Sequence, residues 1–173
     1  MLHFYYGDGK GKTSAAVGAA VRFAGSGGNV LFYQFLKGND SSERKILQQI
    51  SNVCVIEGPA RIKFLFQMTS EEKQELAQYY REKLRELQNL IKTEDFGMVV
   101  LDEAGDLMDA RLIEPEEFMN WLQQISRMGE REIILTGHQP VTDFINNSDY
   151  VTCMKKMNHP YDEGKQAREG IEY

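Results

Sequence analysis

Residues Tyr6-Gly7-Asp8-Gly9-Lys10-Gly11-Lys12-Thr13-Ser14 lie directly behind a short apolar run, Leu2 to Tyr6, and ahead of an Ala-rich segment, Ala15 to Ala24. The order is strand, glycine loop, helix, and it narrows the fold more than any other stretch of the chain. Glycines let backbone N–H groups turn inward around phosphate oxygens, and the N-terminus of the following helix adds its partial positive charge. In such a loop Lys12 reaches a phosphate and the Thr13 hydroxyl holds a metal ion such as Mg²⁺. The spacing departs from the Walker pattern G-x-x-x-x-G-K-[ST], because only Asp8, Gly9 and Lys10 separate Gly7 from Gly11. This is a P-loop shortened by one residue; its bland alternative is a Gly/Lys-rich surface turn.

A chain of 173 residues with 42% hydrophobic content supports one well-cored domain and is small for two. We expect a single domain over 1–173, with an extended C-terminal tail from about residue 155. Net charge is −6, and the 20 Lys and Arg are dispersed among 26 Asp and Glu, which argues against a nucleic-acid partner. Cys54 and Cys153 stand in β-like apolar surroundings with no C-x-x-C pairing, so buried free thiols are expected. No apolar run approaches the ~18 to 20 residues that span a bilayer, and no charged leader opens the chain. The expectation is a cytoplasmic protein without a membrane partner.

Along the chain, Asn29 to Phe35 and Val53 to Ile56 read as strands around a short helix, Ser41 to Ile50, with Ile46, Leu47 and Ile50 turned inward. Gly58 to Met68 reads as a loop carrying Phe64, Leu65 and Phe66, either a lid over the core or the wall of a site. Thr69 and Glu72 form a capping box for the longest amphipathic helix, with Leu76, Tyr80, Leu84, Leu87 and Ile91 on one face. Phe96 to Leu101 is a compact apolar strand that delivers Asp102 and Glu103 to its C-terminal end, a Walker-B-like pair beside the P-loop edge of a parallel sheet. A helix opened by Glu114-Pro115, with Trp121 as packing, leads to a strand, Glu132 to Leu135. Thr136-Gly137-His138 then returns a polar turn to the ligand edge, where His138 either meets a phosphate or is a hydrogen-bonded loop histidine. A short helix, Val141 to Asn147, and a strand, Tyr150 to Met154, come last before a tail without apolar periodicity.

These elements predict an α/β, P-loop NTPase-like (RecA-like) three-layer domain with a mostly parallel central sheet of about six strands. Fold alone does not choose between a kinase, a hydrolase, a transferase and a nucleotide-responsive binding protein without turnover.

The shortened loop, together with Gln34-Phe35-Leu36-Lys37-Gly38, Val99-Val100-Leu101-Asp102-Glu103, Leu135-Thr136-Gly137 and the tail from His159-Pro160 to Gly170-Ile171-Glu172-Tyr173, resembles the P-loop class of ATP:corrinoid adenosyltransferases. The resemblance runs over nearly the whole chain and implies that a reduced Co(I) corrinoid attacks the 5′ carbon of ATP and releases triphosphate. It implies that Gly7, Asp8, Gly9, Lys10, Gly11, Lys12, Thr13 and Ser14 hold the triphosphate, with Lys12 and Lys10 as the cations that stabilise the leaving group. It further implies that Thr13, Asp102 and Glu103 hold Mg²⁺ or Mn²⁺. Arg22, Gln34 and Lys37 match segments that line the family's nucleotide and corrinoid pocket, and Phe64 and Phe66 fall where two aromatics approach the corrinoid. A homodimer and an electron-donating flavoprotein partner are implied in the same way. The chain departs from the family pattern at His138, where Arg is usual, at Ala104-Gly105-Asp106, and at Phe66, where Trp is commoner.

Overall fold

Six apolar runs become the strands of one sheet: β1 (Leu2–Tyr6), β2 (Val30–Gln34), β3 (Val53–Val55), β4 (Met98–Asp102), β5 (Glu132–Gly137) and β6 (Tyr150–Cys153). The computed structural model describes residues 1–173 except Arg61, Phe64 and Tyr173, so what the sequence implies for those three lies outside the described residues. Strand order is β3-β2-β4-β5-β1-β6, and every pairing is parallel. Parallel neighbours require crossovers, which the chain supplies as α1 (Lys12–Gly25), α2 (Ser42–Leu47), α3 (Ser70–Thr93), α4 (Ala104–Asp109), α5 (Pro115–Ser126) and α6 (Thr142–Asn147).

Strand periodicity sorts the core into two layers. Val30, Phe32, Val100 and Ile134 face one side and pack with Ala16, Ala20 and Ala24 of α1 and Leu47 of α2. Leu31, Tyr33, Val99, Leu101 and Leu135 face the other and pack with α3, α4, α5 and Phe144 of α6. A sheet covered on both faces reads as continuous apolar sequence, and β2 and β4 are buried at every position. The alanines of α1 let that helix lie close to the sheet, which fixes where its N-terminus and the preceding loop sit.

The capping box forms as read: the Glu72 N–H donates to Thr69 Oγ1 at 3.2 Å, and the Thr69 N–H donates to Glu72 Oε2 at 3.0 Å. Such a cap is worth about 1 kcal/mol. Tyr80, Leu84, Leu87 and Ile91 are buried, and the Trp121 indole N–H donates to the Leu84 carbonyl at 2.8 Å, joining α5 to α3.

Several expectations are corrected. Both cysteines are exposed, because β3 and β6 are the two edge strands and the β6 side chains are uncovered. Ile46 is exposed; α2 is only six residues long and turns Arg44 and Leu47 inward instead. Leu65–Gln67 is a 3-10 turn in which Leu65 packs on the core while Phe66 is 81% exposed, so Phe66 is no lid. Immediately after Glu103, α4 forms where no helix was foreseen, and the tail contains a 3-10 turn at Pro160–Glu163.

Candidate active site

In a parallel sheet all strands present their C-terminal ends to one edge, and there the loop of residues 7–11 meets the ends of β2, β4 and β5. Gly7 lies at φ +123°, and a Cβ on it would stand 2.4 Å from the carbonyl oxygen of Met154; a Cβ on Gly9 would stand 2.6 Å from the same atom. Glycine is thus demanded by the backbone leaving β6 at Met154 as well as by the turn itself. Two loop amides are committed to protein: the Gly7 N–H donates to the Gly137 carbonyl at 3.2 Å and the Gly9 N–H to the Met154 carbonyl at 2.7 Å. At the start of α1 the N–H groups of Lys12, Thr13 and Ser14 have no intrahelical acceptor, and these carry the partial positive charge of the helix end.

Lys12 Nζ curls back to donate to the carbonyls of Gly7 at 2.7 Å and Gly9 at 2.8 Å. Burial lowers its pKa, while Asp106, Asp102, Glu103 and Asp8 act in the opposite sense. Thr13 Oγ1 donates to both Asp102 oxygens, at 2.9 and 3.2 Å. Asp102 is fully buried and also receives Thr136 Oγ1 at 2.7 Å, Gln34 Nε2 at 3.1 Å and Lys37 Nζ at 2.9 Å. Burial alone would raise its pKa, but the Lys37 ammonium and these hydrogen bonds outweigh it and hold the carboxyl below the usual range.

Glu103 sits in the left-handed region at φ 60°, and Leu36 does likewise at φ 52°, two residues beyond β2. Such backbone costs of order 1–3 kcal/mol and persists where surrounding structure enforces it. Here it turns two adjacent strand ends so that Lys37 lies 3.2 Å from Glu103 as well as 2.9 Å from Asp102. Burial, reinforced by Asp102 and Asp106 and only partly opposed by Lys37, pushes the Glu103 carboxyl up to about 7. Gln34 is buried beneath the site, holding Asp102, Glu43 and Ser41 together. It supports the carboxylate rather than facing the cleft.

His138 follows β5, with its backbone N–H 3.2 Å and its Nδ1 3.0 Å from Asp106 Oδ1. Gly105 and Gly137 are pressed together: a Cβ on Gly137 would stand 2.8 Å from the Gly105 Cα. That contact seats α4 on the end of β5. Lys10 is exposed and pairs with Glu172 at 3.3 Å, and the Asp8 carboxylate accepts the Lys156 N–H at 2.9 Å, so both loop side chains engage the tail. Hydrogen bonds from the Arg168 side chain and backbone hold Glu172 at about 2.

Beside the loop opens a cleft of about 1380 Å³, lined among others by Thr13, Ser14, Lys37, Ile62, Ile171 and Glu172. The structure therefore brings together residues 7–14, Gln34, Lys37, Asp102, Glu103 and His138. Arg22 is exposed in the last turn of α1, at the opposite end of the helix from the loop, and Phe66 points to solvent. Sequence reasoning placed Thr136 in the polar turn at the ligand edge without seeing its bond to Asp102, and gave no role to Asp106, three residues after Glu103 on a helix too short to show periodicity. Among the described residues no group of three or more His, Cys, Asp or Glu converges on one point, and no helix is long and apolar enough to cross a membrane.

A family model described as ATP:corrinoid adenosyltransferase BtuR/CobO/CobP matches residues 1–173. Among similar proteins, the corrinoid adenosyltransferase of Escherichia coli (strain K12) is 27% identical over 179 residues, covering 100% of this chain and 85% of that protein. Corrinoid adenosyltransferase CobA of Salmonella typhimurium is 29% identical over 176 residues, covering 100% and 85%. The corrinoid adenosyltransferase of a Sinorhizobium species is 29% identical over 175 residues, covering 96% and 77%. Because the family model spans every residue of the chain, loop and acid pair included, this protein belongs to the ATP:corrinoid adenosyltransferase family.

Proposed function

We propose that the protein transfers the 5′-deoxyadenosyl group of ATP to the Co(I) centre of a reduced corrinoid and releases triphosphate. The full-length family match carries this reading. The site chemistry agrees with it. A Co(I) nucleophile donates an electron pair to C5′, the C5′–O bond breaks, and its electrons leave on triphosphate oxygen, the metal ending formally as Co(III). No protein base is needed. What the chain must supply is orientation and a preorganised field of positive charge for the leaving group.

Gly7 to Ser14 supply that field through the free N–H groups at the start of α1 and the Lys12 ammonium, which leaves its loop carbonyls for phosphate oxygen. Lys10 is the second loop cation, released from Glu172 when the polyanion enters. The neighbouring cleft exceeds the roughly 300–1,000 Å³ of an ordinary ligand pocket, which leaves room for a second organic substrate beside the nucleotide. Arg22, Phe64 and Phe66 remain candidates for corrinoid contact on the strength of the family resemblance.

Thr13, Asp102 and Glu103 offer only hard oxygen donors, and the Lys37 ammonium between the two carboxylates marks a spot that already attracts a cation. These residues fit Mg²⁺ or Mn²⁺, which prefers one or two carboxylates completed by phosphate and water. The ion would supply charge neutralisation at the phosphates. We also propose a single working domain over 1–173, a cytoplasmic setting, a homodimer and a flavoprotein source of electrons.

The test is incubation with ATP, Mg²⁺ and chemically reduced cobalamin. Adenosylcobalamin and triphosphate in equal amounts are expected; ADP and phosphate with no cobalt–carbon product would refute the assignment.

A further inference from the structure

Asp106 and His138 form a pair for which the transfer reaction has so far provided no use. The Asp106 carboxylate can only accept, so the imidazole nitrogen that faces it, Nδ1, must carry a proton. The tautomer of the neutral ring is thereby fixed: Nε2 is left with a lone pair and becomes an N–H donor only when the ring is charged. The ring is more than half exposed, at 57%, and stands at the end of β5, the strand lying between the P-loop strand β1 and the acid-pair strand β4. The charged groups facing it are Asp106 from α4, Lys12 from the start of α1, and Glu103 from the junction of β4 and α4.

We propose that His138, with its tautomer set by Asp106, is a cationic contact to the triphosphate that engages only as the imidazolium, making polyphosphate affinity dependent on pH. This rests on the reading of the loop as the triphosphate cradle. Two features support it beyond the hydrogen bond. The backbone N–H of His138 is bound to the same carboxylate, so both ring and main chain are held, and the Gly105–Gly137 contact lets α4 lie close enough to the end of β5 for Asp106 to reach both. A neutral ring would present a lone pair to an anion, whereas a charged ring presents a donor, and charge-assisted hydrogen bonds are roughly twice as strong as neutral ones. The Asp106 hydrogen bond raises the His138 pKa above 6.5 despite partial desolvation. The contact is accordingly complete below the ordinary histidine range and is lost as pH rises through the raised value.

The experiment is calorimetric titration of the 173-residue chain with ATP and with inorganic triphosphate, Mg²⁺ present, from pH 6 to 9, with adenosine as the phosphate-free control. The ligand and Glu103 also titrate, so affinities are compared as ratios to His138→Gln at each pH. Relative to that variant, the wild type should lose about ten-fold in affinity for both polyphosphates between pH 6 and pH 9. His138→Arg should keep the advantage throughout, and Asp106→Asn should move the loss to lower pH. A ratio of wild type to His138→Gln that stays flat overturns the proposal. Lys12→Ala separates the two levels of failure: a flat ratio with triphosphate binding weakened in Lys12→Ala removes His138 alone, whereas full binding in Lys12→Ala removes the cradle reading and this proposal with it.

Discussion

Glu103 is a single side chain whose burial costs stability. Its folded pKa is raised from 4.5 to about 7, so folding with the carboxylate charged is increasingly unfavourable as pH rises between those values. In nucleotide-free and metal-free protein, Glu103→Gln should therefore be more stable than wild type by about 1–3 kcal/mol above pH 7. The gain should fade as pH falls towards 4.5, as urea melts across that range would reveal. The same variant should transfer adenosyl more slowly. Asp102 behaves in the opposite sense: its lowered pKa contributes stability that is present above the normal carboxylate range and lost as pH falls through the folded value. Lys12→Ala should cost on the order of 10²-fold in rate with a folded protein, since it removes an oriented positive charge from the leaving group. An unchanged rate in a stopped assay would take the loop out of the mechanism.

At the scale of elements, α4 depends on two glycines. A methyl group on Gly105 or Gly137 would meet backbone atoms at 3.0 or 2.8 Å, and backbone cannot yield as a side chain can. Gly137→Ala is expected to cost about 1–3 kcal/mol by chemical denaturation and to push α4 away from β5, displacing Asp106 from His138. This element also marks the limit of sequence reading. The P-loop, the acid pair and the capping box were legible because each joins residue types at fixed spacing to a local backbone need, as Thr69 and Glu72 do. Long apolar runs such as 98–101 gave the strands for the same reason. Asp106, the bond of Thr136 to Asp102 and the Leu36 turn were not legible, because they come from strands distant in sequence meeting at one edge. Ile46 misled for a related reason: its apolar side chain satisfies a helical pattern, yet the six-residue α2 has only enough inward face for Arg44 and Leu47. The cysteines were misplaced because a β-like neighbourhood does not say which strands will be at the rim.

For the molecule as a whole, the sheet order interposes β5 between the strands bearing the loop and the acid pair, and the cleft beside the loop is where the nucleotide is proposed to enter. The tail closes one side of it, with Ile171 and Glu172 among the cleft-lining residues. Ending the chain at Gly164 should weaken ATP binding by a factor of about three to ten while shifting the melting temperature little, since none of the described residues beyond it is buried in the core. Equilibrium binding and a thermal melt on the same preparation would check both halves. The proposed homodimer should sediment at about twice the 19.8 kDa chain mass.

The edge strand β6 carries a further consequence. Its exit at Met154 takes the Gly9 amide hydrogen, and the following Lys156 amide is tied to Asp8, so the loop is stitched to the least protected margin of the sheet. Fraying of that margin would unfasten the loop from the outside, through the margin's own backbone alone. In deuterated solvent the Gly9 and Met154 amides should therefore exchange together, at a common rate set by the opening of β6 rather than by global unfolding, and bound nucleotide should slow both at once.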